Sequence, residues 1–374
     1  MKKLFTFIAV ICLAVNASAQ FQVANSDFES WTASSGEPDH WHGFKSASGG
    51  LAGSAKGTLE SSTDKHSGTY SALITAGSVF GIVNNGTFTT GQLNAGNISA
   101  TNTANHAHMD VSSTKTDANG DRFYMPFTGH PDAMVFWYKF TQGTAQSTYK
   151  YASANAVIFD GSYYQDPEDK TYTNVVAKAG NKTITTTTSW TELIVPFEYT
   201  SNNVTPQAIL VTFGTNATPG KGSDGDKVWI DDLEFLYYCE LTSAKYDGSD
   251  VVFTNGAATV DAPYDASKLT DLTSSGHGAT IEKSYNKESA VLTITVKGED
   301  ISENANNFNT YTIQFLKKGD VNKDKQVTIA DVTALVNMIL GKADKNEMAK
   351  INDDDDVTIA DVTALVNIIL GKTN

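Results

Sequence analysis

Cysteine is nearly absent from this 374-residue chain: there are two, and Cys12 lies in an apolar stretch at its start. Cys239 stands alone in the remainder, which excludes an internal disulfide framework, and its place after Leu233 to Tyr238 marks it as a small buried hydrophobe. Basic residues are scarce as well. Against 42 Asp and Glu there are 27 Lys and Arg, a formal net charge of −15, which argues against nucleic acid and anionic membranes as partners. Beyond the opening stretch no run approaches the roughly 20 apolar residues that span a bilayer, so no transmembrane segment is expected. Gly-x-Ser-x-Gly, phosphate-loop and zinc-protease signatures are missing too.

What is present begins with an export signal. Lys2 and Lys3 precede an apolar run from Leu4 to Val15, and Ala17-Ser-Ala19 supplies the small residues that a signal peptidase needs. A signal peptide over 1–19 is therefore expected, with the mature chain starting at Gln20 and residing outside the cell, on its surface or in the periplasm. Cys12 follows Val10-Ile11, a poor context for lipidation. Without the two leading lysines the balance is 25 basic to 42 acidic residues, a formal charge of −17. At 40% hydrophobic and 18% charged the rest is globular, and its length allows two or three domains.

From Phe21 to about Glu240 the apolar pattern has period two: Leu193, Val195, Phe197 and Tyr199 alternate with polar residues, as do Ile209, Val211 and Phe213. Strands at this spacing predict a mainly β fold, with a jelly-roll-like two-layer sandwich over 20–240. Pro196 places its strand at an edge or a bulge. Over 241–318, Leu292 to Val296 and Tyr311 to Phe315 alternate cleanly, with shorter strands at Val251 to Phe253, Ala258 to Val260 and Thr280 to Ser284. A small immunoglobulin-like β spacer is expected there.

Residues 319–374 carry a tandem repeat, Val327 to Asn337 recurring as Val357 to Asn367. In the first copy Asp320, Asn322, Asp324, Thr328 and Asp331 occupy loop positions 1, 3, 5, 9 and 12, with the Gln326 carbonyl at position 7, the spacing that wraps oxygen ligands around Ca²⁺. Val332, Leu335, Val336 and Ile339 then repeat at helical spacing, and Gly341 ends the helix. Because Tyr311 to Phe315 alternate like a strand, each copy is half of an EF-hand, without an entering helix. In the second copy Asn352, Asp354, Asp356, Thr358 and Asp361 match, but Lys350 stands at position 1, where an ammonium cannot ligate a cation, so this site is expected to be weaker. Position 6, glycine in an ordinary EF-hand, is Lys325 in one loop and Asp355 in the other.

With Leu-Val-Asn-Met-Ile-Leu-Gly-Lys and Leu-Val-Asn-Ile-Ile-Leu-Gly-Lys closing the copies, this end resembles the type I dockerin module. The resemblance implies a short α-helical calcium module that docks onto a cohesin-like protein partner through the repeats, with Ile329, Ala330, Val332, Ile359, Ala360 and Val362 as contacts. Ile329-Ala330 and Ile359-Ala360 are apolar where many cohesin-binding dockerins carry hydroxyls, which leaves room for a divergent or different partner.

Asn25 to Trp31, His66 to Ala72 and Val228 to Phe235 look like the first strand, following hairpin and last strand of carbohydrate-binding jelly rolls. Together with Pro131 to Phe140, Trp190 to Tyr199 and Pro206 to Asn216 they resemble the family called putative carbohydrate metabolism domain (PCMD), found in secreted Bacteroidetes proteins. That resemblance implies polysaccharide metabolism, and the jelly rolls imply a structural Ca²⁺ shared by Asp27 or Glu29 with Asp231 or Asp232. Sugar recognition needs flat aromatic faces in loops, and Trp41, Tyr163 and Tyr164 are the candidates. His106-x-His108 is a pair without a third metal ligand. The reading is a secreted modular protein with a glycan-binding sandwich. A glycoside hydrolase with an unidentified carboxylate pair and a surface structural protein are the alternatives.

Overall fold

The computed structural model describes residues 20–372 apart from 353 and 355; the expected signal peptide and the position-6 residue Asp355 lie outside the described residues. The described chain forms two compact units, one reaching to Gly129 and resuming over Met134–Phe235, the other comprising His130–Ala133 and everything from Leu236 onward.

The first unit is a sandwich of two five-stranded sheets. One runs in the order Thr187–Pro196, Ala133–Thr141, Lys227–Leu236, Ser71–Thr75, Thr58–Ser62, and the other Glu198–Tyr199, Val175–Ile184, Ala152–Phe159, Ala208–Gly214, Thr87–Thr89. Period-two patterning explains the layers. Phe136, Tyr138 and Phe140 point inward from one strand while Trp137 and Lys139 face out, and Ala152, Ala154 and Ala156 do the same on the facing sheet. Between the sheets Phe28, Trp41, Phe88, Phe136 and Phe213 stack with neighbouring centroids 5.1–5.7 Å apart. Pro196 does end an edge strand: lacking an N–H, it cannot extend the ladder, and the chain leaves one sheet at Phe197 to join the edge of the other at Glu198–Tyr199.

A smaller sheet, Tyr164–Asp166, Asn105–Met109 and Gln92–Ala95, a hairpin of Gly77–Val79 with Ile82–Asn84 and a short pair of Trp31–Thr32 with Glu37–Pro38 complete this unit.

In the second unit a three-stranded sheet (Ser249–Asp250, Leu241–Tyr246, Leu269–Ser274) and a four-stranded one (Ala257–Pro263, Phe308–Leu316, Val291–Lys297, Thr280–Asn286) enclose a core of Tyr246, Leu292, Ile294, Val296, Ile313 and Phe315. Residues 251–253, expected to be a strand, are not one: the last bond to the neighbouring strand runs from Val251 N to the Ala244 carbonyl, and Val252 is left 78% exposed. Cys239 is buried and free, as its setting predicts. Two helices follow, α1 (Ile329–Ile339) and α2 (Ile359–Ile369). Each starts at a capping box, Thr328 with Asp331 and Thr358 with Asp361. Gly341 (φ 70°) and Gly371 (φ 67°) terminate them, with Lys342 N donating to the Asn337 carbonyl and Lys372 N to that of Asn367, the 6→1 bond of a Schellman motif. Leu335, Met338 and Leu365 pack with Val321, Ala349, Ile351 and Val357 into a second, smaller core. Among the described residues no helix is long and apolar enough to cross a membrane.

Candidate functional site

The sequence candidates for sugar contact fare unevenly. Trp41 is a correction: it is fully buried, its indole Nε1 donating to the carbonyls of Ala24 and Asn25, because the loop that carries it folds inward among Phe28, Phe88 and Phe213. Tyr164 is another, 1% exposed because its ring packs against Phe159 and Tyr172. Tyr163 is 39% exposed, its hydroxyl donating to Gln165 Oε1 at 2.9 Å.

Three of the expected jelly-roll cation ligands, Glu29, Asp231 and Asp232, meet at one turn. Glu29 Oε1 accepts from the amides of Thr69 and Tyr70, Asp231 Oδ2 from those of His66 and Ser67, and Asp232 from the Ser67 hydroxyl, with Oδ2 2.6 Å from His66 Nδ1. Asp27 is exposed. Glu29, Asp231 and Asp232 clamp the 66–70 turn, and at Gly68 (φ 57°) a Cβ would lie 2.2 Å from Glu29 Oε1. Burial, with the neighbouring Asp232 charge, raises the Asp231 carboxyl to about 6.

A concavity that was not among the sequence candidates brings apolar and polar groups together. A cleft of 340 Å³ lies against the outer face of the second sheet, floored by Ser153 and Asn155 and by Thr212 and Gly214, and walled by the small sheet and the hairpin. Its floor is open because glycines face the polar side chains: Gly180 pairs with Asn155 and Gly214 with Ser153. A Cβ at either glycine would come within 3.0 Å of Asn155 Oδ1 or 3.1 Å of Ser153 Oγ. Asp166 and Lys182 also line the cleft. Asn155 Nδ2 reaches Asp166 Oδ2 at 3.3 Å. Burial raises the Asp166 carboxyl, Lys182 opposes that shift and Glu168 adds to it. Phe44, Phe80, Ile82 and Ile98 supply apolar wall, and His106 stands at the side. His106 and His108 meet edge to face at 5.2 Å. The signals for this site were strand-interior glycines and a hairpin tip, not aromatic loops.

In the second unit the first repeat loop gathers carboxylates. Oxygens of Asp320, Asp324 and Asp331 lie within 4.8 Å of one another, the sole such group of three among the described residues. Asp320 and Asp331 are fully buried. Burial raises the Asp320 carboxyl; amides of Lys325 and Asp324 oppose this, and the charges of Asp331 and Asp324 reinforce it. Two buried carboxylates and the exposed Asp324, close together and with Asn322, Thr328 and the Gln326 carbonyl in sequence register, fit a hard divalent cation such as Ca²⁺. The backbone turn fits as well: Lys323 and Lys325 sit at φ 61° and 71°, so position 6 adopts the left-handed geometry that glycine ordinarily supplies.

The second loop differs. Lys350 Nζ pairs with Glu347 Oε1 at 3.0 Å, and Asn352, Asp354 and Asp356 are exposed. Asp361 is buried, which pushes its carboxyl up, but the amides of Thr358, Asn352 and Ile351 outweigh that and hold it below the usual range.

Of the expected docking residues, Ile329 (70% exposed), Ile359 (71%), Ala330 and Ala360 face solvent. Val332 and Val362 are half-buried, because helical spacing turns one side of each against the small core.

No family model matches the chain, and no curated protein does. Among solved structures it is similar to a "putative glycoside hydrolase" from Bacteroides thetaiotaomicron, with 15% identity and a TM-score of 0.45 over 60% of this chain and 73% of that one. A second, from Bacteroides vulgatus, gives 18% identity and a TM-score of 0.35 over 48% and 76%. A non-crystalline cellulose specific carbohydrate-binding module gives 10% and 0.27 over 58% and 96%.

Proposed function

We propose that this is an exported, modular carbohydrate-associated protein whose sandwich binds a glycan in the cleft of the second sheet. Its C-terminal helix pair is calcium-loaded and docks to a protein partner. The observation that carries the first part is the cleft itself, where apolar walls meet a small set of convergent polar groups, Asn155, Asp166 and Lys182. Such a lining suits a ligand with apolar faces and hydroxylated edges. Hydrolysis by the usual mechanism needs two carboxylates flanking the bond, and Asp166 is the one carboxylate among the cleft's described lining residues. That favours binding over cleavage.

Residues 20–374 with Ca²⁺, incubated with plant, host and bacterial polysaccharides, should be retained by at least one of them without releasing reducing ends. Gly180→Val, which fills the floor beside Asn155, should abolish retention while the fold is kept. Released reducing ends would make the chain a hydrolase, and retention unaffected by Gly180→Val would move the ligand elsewhere.

A further inference from the structure

The hairpin over the cleft carries a residue that its turn does not want. Val79 pairs with Ile82, so Phe80 and Gly81 form a two-residue connection, and both have positive φ, 51° and 77°. This is the geometry of a type I′ turn, whose first position favours Asn, Asp or Gly. A bulky side chain at positive φ is a backbone outlier. Nothing in packing rewards it here: Phe80 is 84% exposed, the most exposed of the protein's large hydrophobic residues among those described. A strained backbone and an exposed aromatic ring thus coincide at the rim of the one cleft that also holds Asn155, Asp166 and Lys182. Strain kept without a folding benefit points to a ligand.

We propose that Phe80 is the stacking platform of the cleft and that its occupant is a neutral pyranose ring of a polysaccharide, an inference that rests on the glycan-binding reading above. Phe80 covers the apolar face of the ring, and Ile82 and Ile98, 38% and 59% exposed, extend the surface beside it. Asp166 and Asn155 on the floor accept from and donate to the ring hydroxyls. A wholly apolar occupant would take Asp166 and Lys182 out of water and offer them no hydrogen bond of its own, at a cost. A polyanionic glycan would approach a chain with an excess of acidic residues, 42 against 27 basic, and be repelled.

The test uses residues 20–374 as the unmodified chain, Phe80→Asn and Phe80→Tyr, run through native gels containing xylan, galactomannan, laminarin or mucin, with thermal melting of each protein. Asparagine suits the turn and removes the ring, so Phe80→Asn should melt about a few degrees higher and lose about tenfold in affinity for the polysaccharide that retards the unmodified chain. Phe80→Tyr keeps the ring and should stay within about twofold. If Phe80→Asn is retarded like the unmodified chain, or Phe80→Tyr loses as much as Phe80→Asn, stacking by Phe80 is overturned and the cleft reading stands. If none of the neutral gels retards the unmodified chain, this proposal is overturned, and with retention on no polysaccharide at all the cleft reading falls too.

Discussion

His42 shows what a single buried titratable group does to this molecule. Its side chain is wholly buried, edge-on to Phe123 at 4.6 Å, with Nδ1 3.7 Å from Asp117 Oδ2. Burial lowers the imidazole to about 4, against the opposing attraction of Asp117. The unfolded chain binds a proton below about 6.5, while the folded one does not until about 4. Stability is therefore lost as pH falls between those values, by up to about 3 kcal/mol. Asp231 has the opposite sign: its folded value is raised to about 6, so its contribution is full below the ordinary aspartate value and lost as pH rises through 6. Comparing His42→Gln with the unmodified chain cancels that term. Urea midpoints of the two proteins should draw together as pH drops from 6.5 to 4, and a constant gap across that range would sink the argument. Lys325 makes the same point for backbone: a left-handed φ that glycine would accept freely costs a lysine about 1–2 kcal/mol, yet the loop keeps its shape.

At the scale of elements, α1 and α2 are eleven residues each, too short to hold as isolated helices in water. Their shared core is small, with Leu335 and Leu365 its fully buried helical members. The rest of the stability has to come from the loops, where Asp331 serves both as capping-box partner of Thr328 and as a member of the carboxylate group. Excess EGTA should therefore remove the helical ellipticity at 222 nm while the β signal persists, and Asp331→Ala should do so with calcium present. Unchanged helicity in EGTA would show that the cation is not part of the fold. Lys350, paired with Glu347, predicts that most of the calcium response belongs to the first loop.

For the whole molecule, the proposed division of labour puts ligand capture in the first unit and attachment in the second. The repeat makes the attachment surface twofold: Ile329 and Ile359 are exposed at equivalent helix starts, and Leu340 and Leu370, 61% and 60% exposed, at equivalent ends. In pull-downs from the secreted fraction of the source organism, Ile329→Asp with Ile359→Asp should lose the captured protein while helicity and polysaccharide retention stay as they were. Capture that survives both substitutions would leave the repeats as a structural tail.

Period-two alternation along strands such as Ala133–Thr141 and the duplicated ligand spacing at Asp320 to Asp331 are local signals, because side-chain direction and loop geometry repeat over a few residues. The sequence by itself therefore determined the β layers, the two short helices of the repeat and the helix end at Gly341. Whether Trp41 is a platform or a core residue depends on the direction in which its loop folds, and that is set by the distant Phe88 and Phe213. The cleft likewise joins Asn155, Asp166, Lys182 and Phe80 from four separate segments. Only cross-strand register, Gly180 opposite Asn155 and Gly214 opposite Ser153, opens its floor, and register is a property of paired chains that no single stretch encodes.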